Sequence, residues 1–215
     1  MLSQKPIALY KSKVEGGAFR PDPAQEAAVQ SLQRLWDDLK NVVPKRKTLF
    51  SKTQEIPKGL YLHGGVGRGK SMLMDLFYES LPQEIPASRV HFHEFMIGVH
   101  DYIHSRRESD GIREGVDATL PLFAARIAEK TRVLCFDEFH VTDVADAMIL
   151  GRLFRSLFEH GVVVVATSNW PLARLYEGGL QRDRFLPFIA LMQERLESID
   201  LGNGTDYRRE CITQA

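Results

Sequence analysis

Gly59-Leu60-Tyr61-Leu62-His63-Gly64-Gly65-Val66-Gly67-Arg68-Gly69-Lys70-Ser71 decides the fold of this 215-residue chain. A short apolar strand runs into a glycine-rich turn. From Gly64 to Ser71 that turn matches G-x-x-x-x-G-K-[ST] at every fixed position. Helical spacing of apolar residues follows, from about Lys70 to Leu81. Strand, loop and helix in this order are the context a phosphate-binding loop needs. Glycines permit positive φ and close backbone approach, so that N–H groups can surround phosphates. The helix N-terminus adds partial positive charge. Lys70 can reach the β- and γ-phosphates, and the Ser71 hydroxyl can ligate Mg²⁺. Gly64, Gly65, Val66, Gly67, Arg68, Gly69, Lys70, Ser71 and Met72 are therefore the candidate nucleotide-binding residues.

The partner motif lies further along, at Val133-Leu134-Cys135-Phe136-Asp137-Glu138. An apolar strand ends in two adjacent carboxylates. Asp137 is a candidate Mg²⁺ ligand. Glu138 is a candidate base that orients and deprotonates the attacking water. Asp-Glu at a strand end is often a solvated turn, so the pairing with the glycine-rich loop carries the weight. Together the two motifs indicate hydrolysis of a nucleoside triphosphate. A Glu directly after the Mg²⁺ Asp favours an ATPase of the additional-strand type, and the guanine-reading Asn-Lys-x-Asp motif is absent. A third apolar run, Val162 to Ala166, leads through Thr167-Ser168 to Asn169. Ligands of open α/β sheets sit at such carboxyl ends. Asn169 could hydrogen-bond the γ-phosphate and the water held by Glu138, or simply start the turn before Trp170-Pro171.

Around these motifs the chain alternates strand and helix. Asp22 and Pro23 open a helix carrying Ala28, Leu32, Leu35, Trp36 and Leu39 at helical spacing. Arg89 to His93 alternates like a strand, and Glu94 to Ser105 reads as a helix. Another helix is expected near Pro121 to Lys130, a long one from Asp143 to Glu159, and a weak last strand over Leu196 to Leu201. Apolar strands alternating with helices imply an α/β fold, a parallel five-stranded sheet covered by helices on both faces. Residues 1–21 are polar and read as an arm, 22–208 as the nucleotide-binding core, and 209–215 as a tail.

Composition narrows the function. Lys plus Arg and Asp plus Glu both number 28, so the net charge is zero. Nucleic-acid binders that work through bulk phosphate attraction carry a basic excess. No apolar run approaches the roughly 20 residues that span a bilayer. The first ten residues lack the layout of a secretory signal. Two cysteines, Cys135 and Cys211, make no disulfide framework. A reducing cytoplasm is the expected compartment.

Several segments together carry a resemblance. Gly59 to Gly64 runs through the loop into Met72-Leu73-Met74-Asp75-Leu76-Phe77. Arg89-Val90-His91-Phe92-His93-Glu94-Phe95-Met96 and Cys135-Phe136-Asp137-Glu138-Phe139-His140-Val141-Thr142-Asp143 follow. Ala166-Thr167-Ser168-Asn169, Gly179-Leu180-Gln181-Arg182, Phe185-Leu186-Pro187-Phe188-Ile189 and Asp206-Tyr207-Arg208 complete them. From about Asp22 to Arg208 the chain resembles the ZapE family of AAA+ ATPases, bacterial cell-division ATPases related to mitochondrial LACE-type ATPases. The resemblance implies a P-loop NTPase of AAA+ type using ATP and Mg²⁺. Lys70 and Ser71 would be Walker A, Asp137 and Glu138 Walker B, and Asn169 sensor 1. Arg182 would be the arginine finger, with Arg184 the competing candidate. A finger acts on a neighbour's nucleotide, so the resemblance implies self-association into a ring, a hexamer in such proteins. The implied partner is the tubulin-like division protein FtsZ.

Two departures stand out. Asp117-Ala118-Thr119-Leu120 replaces the family's Asp-Pro-Leu. The sequence also ends soon after Arg208, where relatives continue into a helical lid, so the lid is expected to be missing. Weaker signals read more simply. His91 with His93, and His100 with His104, have metal-like spacing but no completing carboxylate or Cys, and Mg²⁺ is the one metal expected. Lys45-Arg46-Lys47 reads as a solvated loop. Asp22 and Gln25 could lie near an adenine, although helix capping explains Asp22 equally well. Thr142 and Asp143 cap the following helix. Three readings of function stay open: a Mg²⁺-dependent ATPase that remodels a protein partner, a helicase-loader-like protein on single-stranded DNA, and a binding module switched by ATP.

Overall fold

A computed structural model of the chain describes residues 4–41, 56–109 and 116–202. The Lys45-Arg46-Lys47 run, Asp206-Tyr207-Arg208, Cys211 and residues 209–215 lie outside the described residues. Five strands form one sheet: β1 (Gly59–His63), β2 (Ala87–His91), β3 (Val133–Asp137), β4 (Val163–Ser168) and β5 (Leu196–Asp200). Their order is β2-β3-β4-β1-β5 and every neighbouring pair is parallel. All carboxyl ends therefore open on one side, where ligands of such sheets bind.

The strands are apolar on both faces because both faces are covered. Successive side chains point to opposite sides. Leu60, Leu62, Val133, Cys135, Val163 and Val165 face α2 (Pro23–Asn41) and α3 (Lys70–Ser80). Tyr61, Leu134, Phe136, Val164 and Ala166 face α4 (Phe92–Ser109), α5 (Val116–Ala128), α6 (Val144–Glu159) and α7 (Arg182–Arg195). Phe136 anchors this second face, with ring centroids of Phe95, Phe154, Phe92 and Phe139 at 4.8, 5.6, 5.9 and 5.9 Å. Close packing also reaches the backbone. A Cβ on Gly59 would stand 1.9 Å from the Val164 carbonyl oxygen, so only glycine fits where β1 meets β4.

Several expectations are corrected. The opening segment is not an arm, because Pro6–Glu15 forms the helix α1. Pro6 stands in its first turn, and Pro6 and Tyr10 are buried while Ile7 and Val14 pack beside the same core cluster. Those positions share one helical face, which the surrounding lysines concealed. β2 ends at His91, so His93 belongs to α4 and the two histidines do not share a strand. α5 begins at Val116 and contains Pro121, where its start was expected. α7 had no counterpart in the sequence reading: Pro187 lies inside it, and its N-cap, Gln181, adopts φ 57° without a side-chain cap. β4 runs on through Thr167 to Ser168, past the expected end at Ala166. Asp143 caps α6 as expected, accepting from the Ala145 and Asp146 amides.

Candidate nucleotide-binding and catalytic site

At the carboxyl ends of β1, β3 and β4 lies a cleft of about 560 Å³. It is lined by Val66, Gly67, Arg68, Gly69, Lys70, Ser71 and Met72 from the loop, Glu138 from beyond β3, and Thr167, Ser168 and Asn169 from β4. Three segments far apart in sequence thus converge on one space. Val66 is exposed, and Gly69 turns the chain at φ 80° into α3. A Cβ there would meet Gln25 Nε2 at 2.8 Å, so the turn requires glycine on two counts.

Lys70 is buried, and its ammonium donates to the carbonyls of Gly64 at 2.8 Å and Gly65 at 2.6 Å. Gly64 and Gly65 do not line the cleft; they seat the lysine. The ammonium is held by neutral oxygens at the edge of a space whose wall includes the α3 N-terminus, an arrangement that phosphate oxygens can join. The loop is braced from outside. Arg68 Nε donates to the Leu201 carbonyl at 2.8 Å, and its guanidinium lies 3.5 Å from Asp22. Gln25 Nε2 donates to the Arg68 carbonyl at 3.2 Å, and the Gly65 amide to the Gly202 carbonyl at 3.3 Å. Asp22 also caps α2 through the amides of Ala24 and Gln25. Asp22 and Gln25 therefore support the loop rather than line the cleft.

Asp137 is buried behind the lining residues. Its Oδ1 accepts from Thr167 Oγ1 at 2.6 Å, from Ser71 Oγ at 2.8 Å and from the Glu138 amide at 3.1 Å. Its Oδ2 accepts from Arg89 Nη2 at 2.8 Å. Burial alone would raise the pKa of this carboxyl. The donations from Thr167 and Ser71, the charge of Arg89 and the Glu138 amide outweigh that and hold it below the ordinary carboxylate value. Ser71 and Asp137, the two candidate Mg²⁺ ligands, thus touch. A hydroxyl and a carboxylate oxygen are the hard donors Mg²⁺ prefers, so the residues present fit that ion. Glu138 is exposed at the cleft with φ 54°, its amide also donating to Thr167 Oγ1. The turn leaves its carboxylate in the open space while its backbone is tied to Asp137. Asn169 is exposed and lines the same cleft from beyond the end of β4.

Arg182 and Arg184 do not line this cleft. Arg182 begins α7 and donates to the Ala173 carbonyl at 2.7 Å. Arg184 is exposed one position past Asp183. His100 lies 2.6 Å from Asp146 on α6. Burial pushes the Cys135 thiol up to about 12, which leaves it an inert core group. Two site residues carried no motif signal of their own. Thr167 bridges Asp137 and the Glu138 amide, and Arg89 reaches Asp137 from β2. A charged residue in the middle of an expected strand was the available clue to Arg89. Lys70 supplies a test of the cleft. Lys70→Ala is expected to weaken nucleotide affinity about 10–100-fold, the size of one lost charge-assisted contact. Calorimetry that finds affinity unchanged would remove Lys70 from the site.

A parallel sheet in the order β2-β3-β4-β1-β5, with a phosphate loop after β1 and paired carboxylates closing β3, defines a P-loop NTPase of the AAA+ type. The AMPPCP-bound DnaA of Aquifex aeolicus shares this fold at 14% identity and a TM-score of 0.57, covering 92% of this chain and 54% of that one. A model of the AFG1-like ATPase family matches residues 4–215, and the chain belongs to that family. It is 41% identical to the cell division protein ZapE of Escherichia coli K12, covering all of this chain and 59% of that protein. It is 50% identical to the lactation elevated protein 1 homolog B of Danio rerio, covering 94% of this chain and 49% of that one. The chain thus spans about half of these relatives' length. Among the described residues no helix is long and apolar enough to cross a membrane.

Proposed function

We propose that this chain is the nucleotide-binding core of a Mg²⁺-dependent ATPase that assembles through its own subunits and remodels a protein partner. The observation that carries this reading is the 2.8 Å contact between Ser71 and Asp137, beside an exposed Glu138 on the same cleft as Lys70. In this reading the amides of Val66 to Met72 and the Lys70 ammonium bind the phosphates of ATP. Ser71 and Asp137 would hold Mg²⁺, which would supply neutralisation of phosphate charge. Glu138 orients a water and takes its proton as that water attacks the γ-phosphorus, the bond to the bridging oxygen breaks and ADP leaves with that oxygen. Asn169, at the end of β4, fixes the water and the γ-phosphate. Arg182 serves a neighbouring subunit's nucleotide, since it stands outside the cleft of its own chain.

The similarity to a cell division protein supports a role in cell division, with FtsZ polymers as the partner this family resemblance implies. A cytoplasmic site of action goes with that partner. A complete catalytic centre then needs two chains. ATP turnover per subunit is expected to rise with protein concentration and reach a plateau as assembly completes. Flat, negligible turnover with ATP still bound would replace this reading with a nucleotide-switched binding module. Salt-sensitive, submicromolar binding of a single-stranded oligonucleotide would replace the protein partner with nucleic acid.

A further inference from the structure

Arg89 is the one cation that the described contacts bring to the Asp137 carboxylate, and it comes from the edge of the sheet. Its position on β2 is paired with Cys135 of β3, two residues before the Asp137 position. That register puts its side chain on the face covered by α3. There the guanidinium forks, with Nε on Asp75 of α3 and Nη2 on Asp137 Oδ2 at 2.8 Å. Its side chain is only 27% exposed. Planar forks of this kind fix a carboxylate in place as a point charge does not.

The two oxygens of Asp137 are consequently used differently. Oδ1 takes three donors, from Ser71, Thr167 and the Glu138 amide, and Oδ2 takes the guanidinium. Both are occupied by the protein's own groups. Because Ser71 donates its proton to Oδ1, its lone pairs are turned away from Asp137, and Ser71 lines the cleft. We propose that Arg89 is a positioning residue that stands in for a cation at Asp137. It aims the carboxylate at Ser71 and keeps a divalent metal from settling there until nucleotide phosphates share the binding. The inference deepens the ATPase reading and rests on it for the identity of the metal.

The test is Mn²⁺ alone, followed by electron paramagnetic resonance without nucleotide. Arg89→Gln is expected to gain a Mn²⁺ site at least about tenfold tighter than any in the parent protein, because an uncompensated carboxylate is exposed to the ion. The double variant Arg89→Gln, Asp137→Asn is expected to lose that site. Asp75→Asn, which frees one arm of the fork and leaves the other on Asp137, is expected to gain none. Arg89→Lys restores the charge without the fork and is expected to fall between. Nucleotide-free Mn²⁺ binding by Arg89→Gln no tighter than the parent's, with thermal unfolding still cooperative, would overturn the proposal. A gain that survives Asp137→Asn would overturn it as well. Binding of a non-hydrolysable ATP analogue is measured on the same samples. Its absence from the parent protein would defeat the ATPase reading while the Mn²⁺ result still decides the role of Arg89.

Discussion

Arg182→Ala is expected to lower ATP turnover of the assembled protein by about 10³–10⁵-fold, the contribution of an arginine supplied to a transferring phosphoryl group. The fall should appear only at concentrations where subunits associate, and affinity for ATP in dilute protein should stay as it was. The expectation rests on position. Arg182 opens α7, is tethered through Nη2 to the Ala173 carbonyl, and keeps a buried Nε with no protein partner among the described residues. A guanidinium so held is oriented before any ligand arrives, which limits the entropy lost when it engages one. It lies off the cleft of its own chain, so a nucleotide it served would belong to another. Arg184→Ala is the companion variant and should change turnover little. A large loss in Arg184→Ala with none in Arg182→Ala would move the finger by two residues. Equal turnover in all three proteins would end the between-subunit mechanism.

Glu138→Gln should cut the chemical step by about 10²–10⁴-fold while leaving ATP bound. The substitution keeps shape and removes only the charge that accepts a proton. The left-handed backbone at φ 54° is no worse for Gln than for Glu. The amide bonds to Asp137 and Thr167 do not involve the side chain and persist. Single-turnover hydrolysis measured beside analogue binding separates the two effects. Hydrolysis at the parental rate would show that another group activates the water. The arrested protein is also the reagent with which a remodelled partner is best captured, because the ATP-bound form then accumulates.

The loop, the paired carboxylates and the three strands that carry them were legible because each is a local pattern. Glycines, a Lys-Ser pair and unbroken apolar runs announce themselves within a dozen residues. The helices α1 and α7 were not. In α1 the buried face is thin, with Pro6 and Tyr10 alone fully buried, so the period is masked. In α7 an internal Pro187 and an uncapped Gln181 contradict the local rules, and burial of Phe185, Phe188, Ile189 and Met192 overrides them. The same distinction runs through the site. Lys70, Ser71, Asp137, Glu138 and Asn169 could be named from their own segments and are found lining one cleft or, for Asp137, directly behind its lining. Thr167 and Arg89 act only through register. Arg89 matters because β2 lies beside β3, and neighbouring strands in a parallel sheet can be separated by any length of chain. Asp22 caps α2 as one of its two readings had it, while its contact with Arg68, and that of Gln25, depend on tertiary packing no local pattern shows.

The brace between the phosphate loop and the end of β5 ties the carboxyl end of that strand to the site. Arg68 and Gly65 grip the carbonyls of Leu201 and Gly202, the last two described residues. A force applied at Leu201 and Gly202 would pass through these hydrogen bonds to the loop that would cradle ATP. Mechanical tension there would be converted into a change in grip on the nucleotide, and a change in grip into motion of the chain that leaves it.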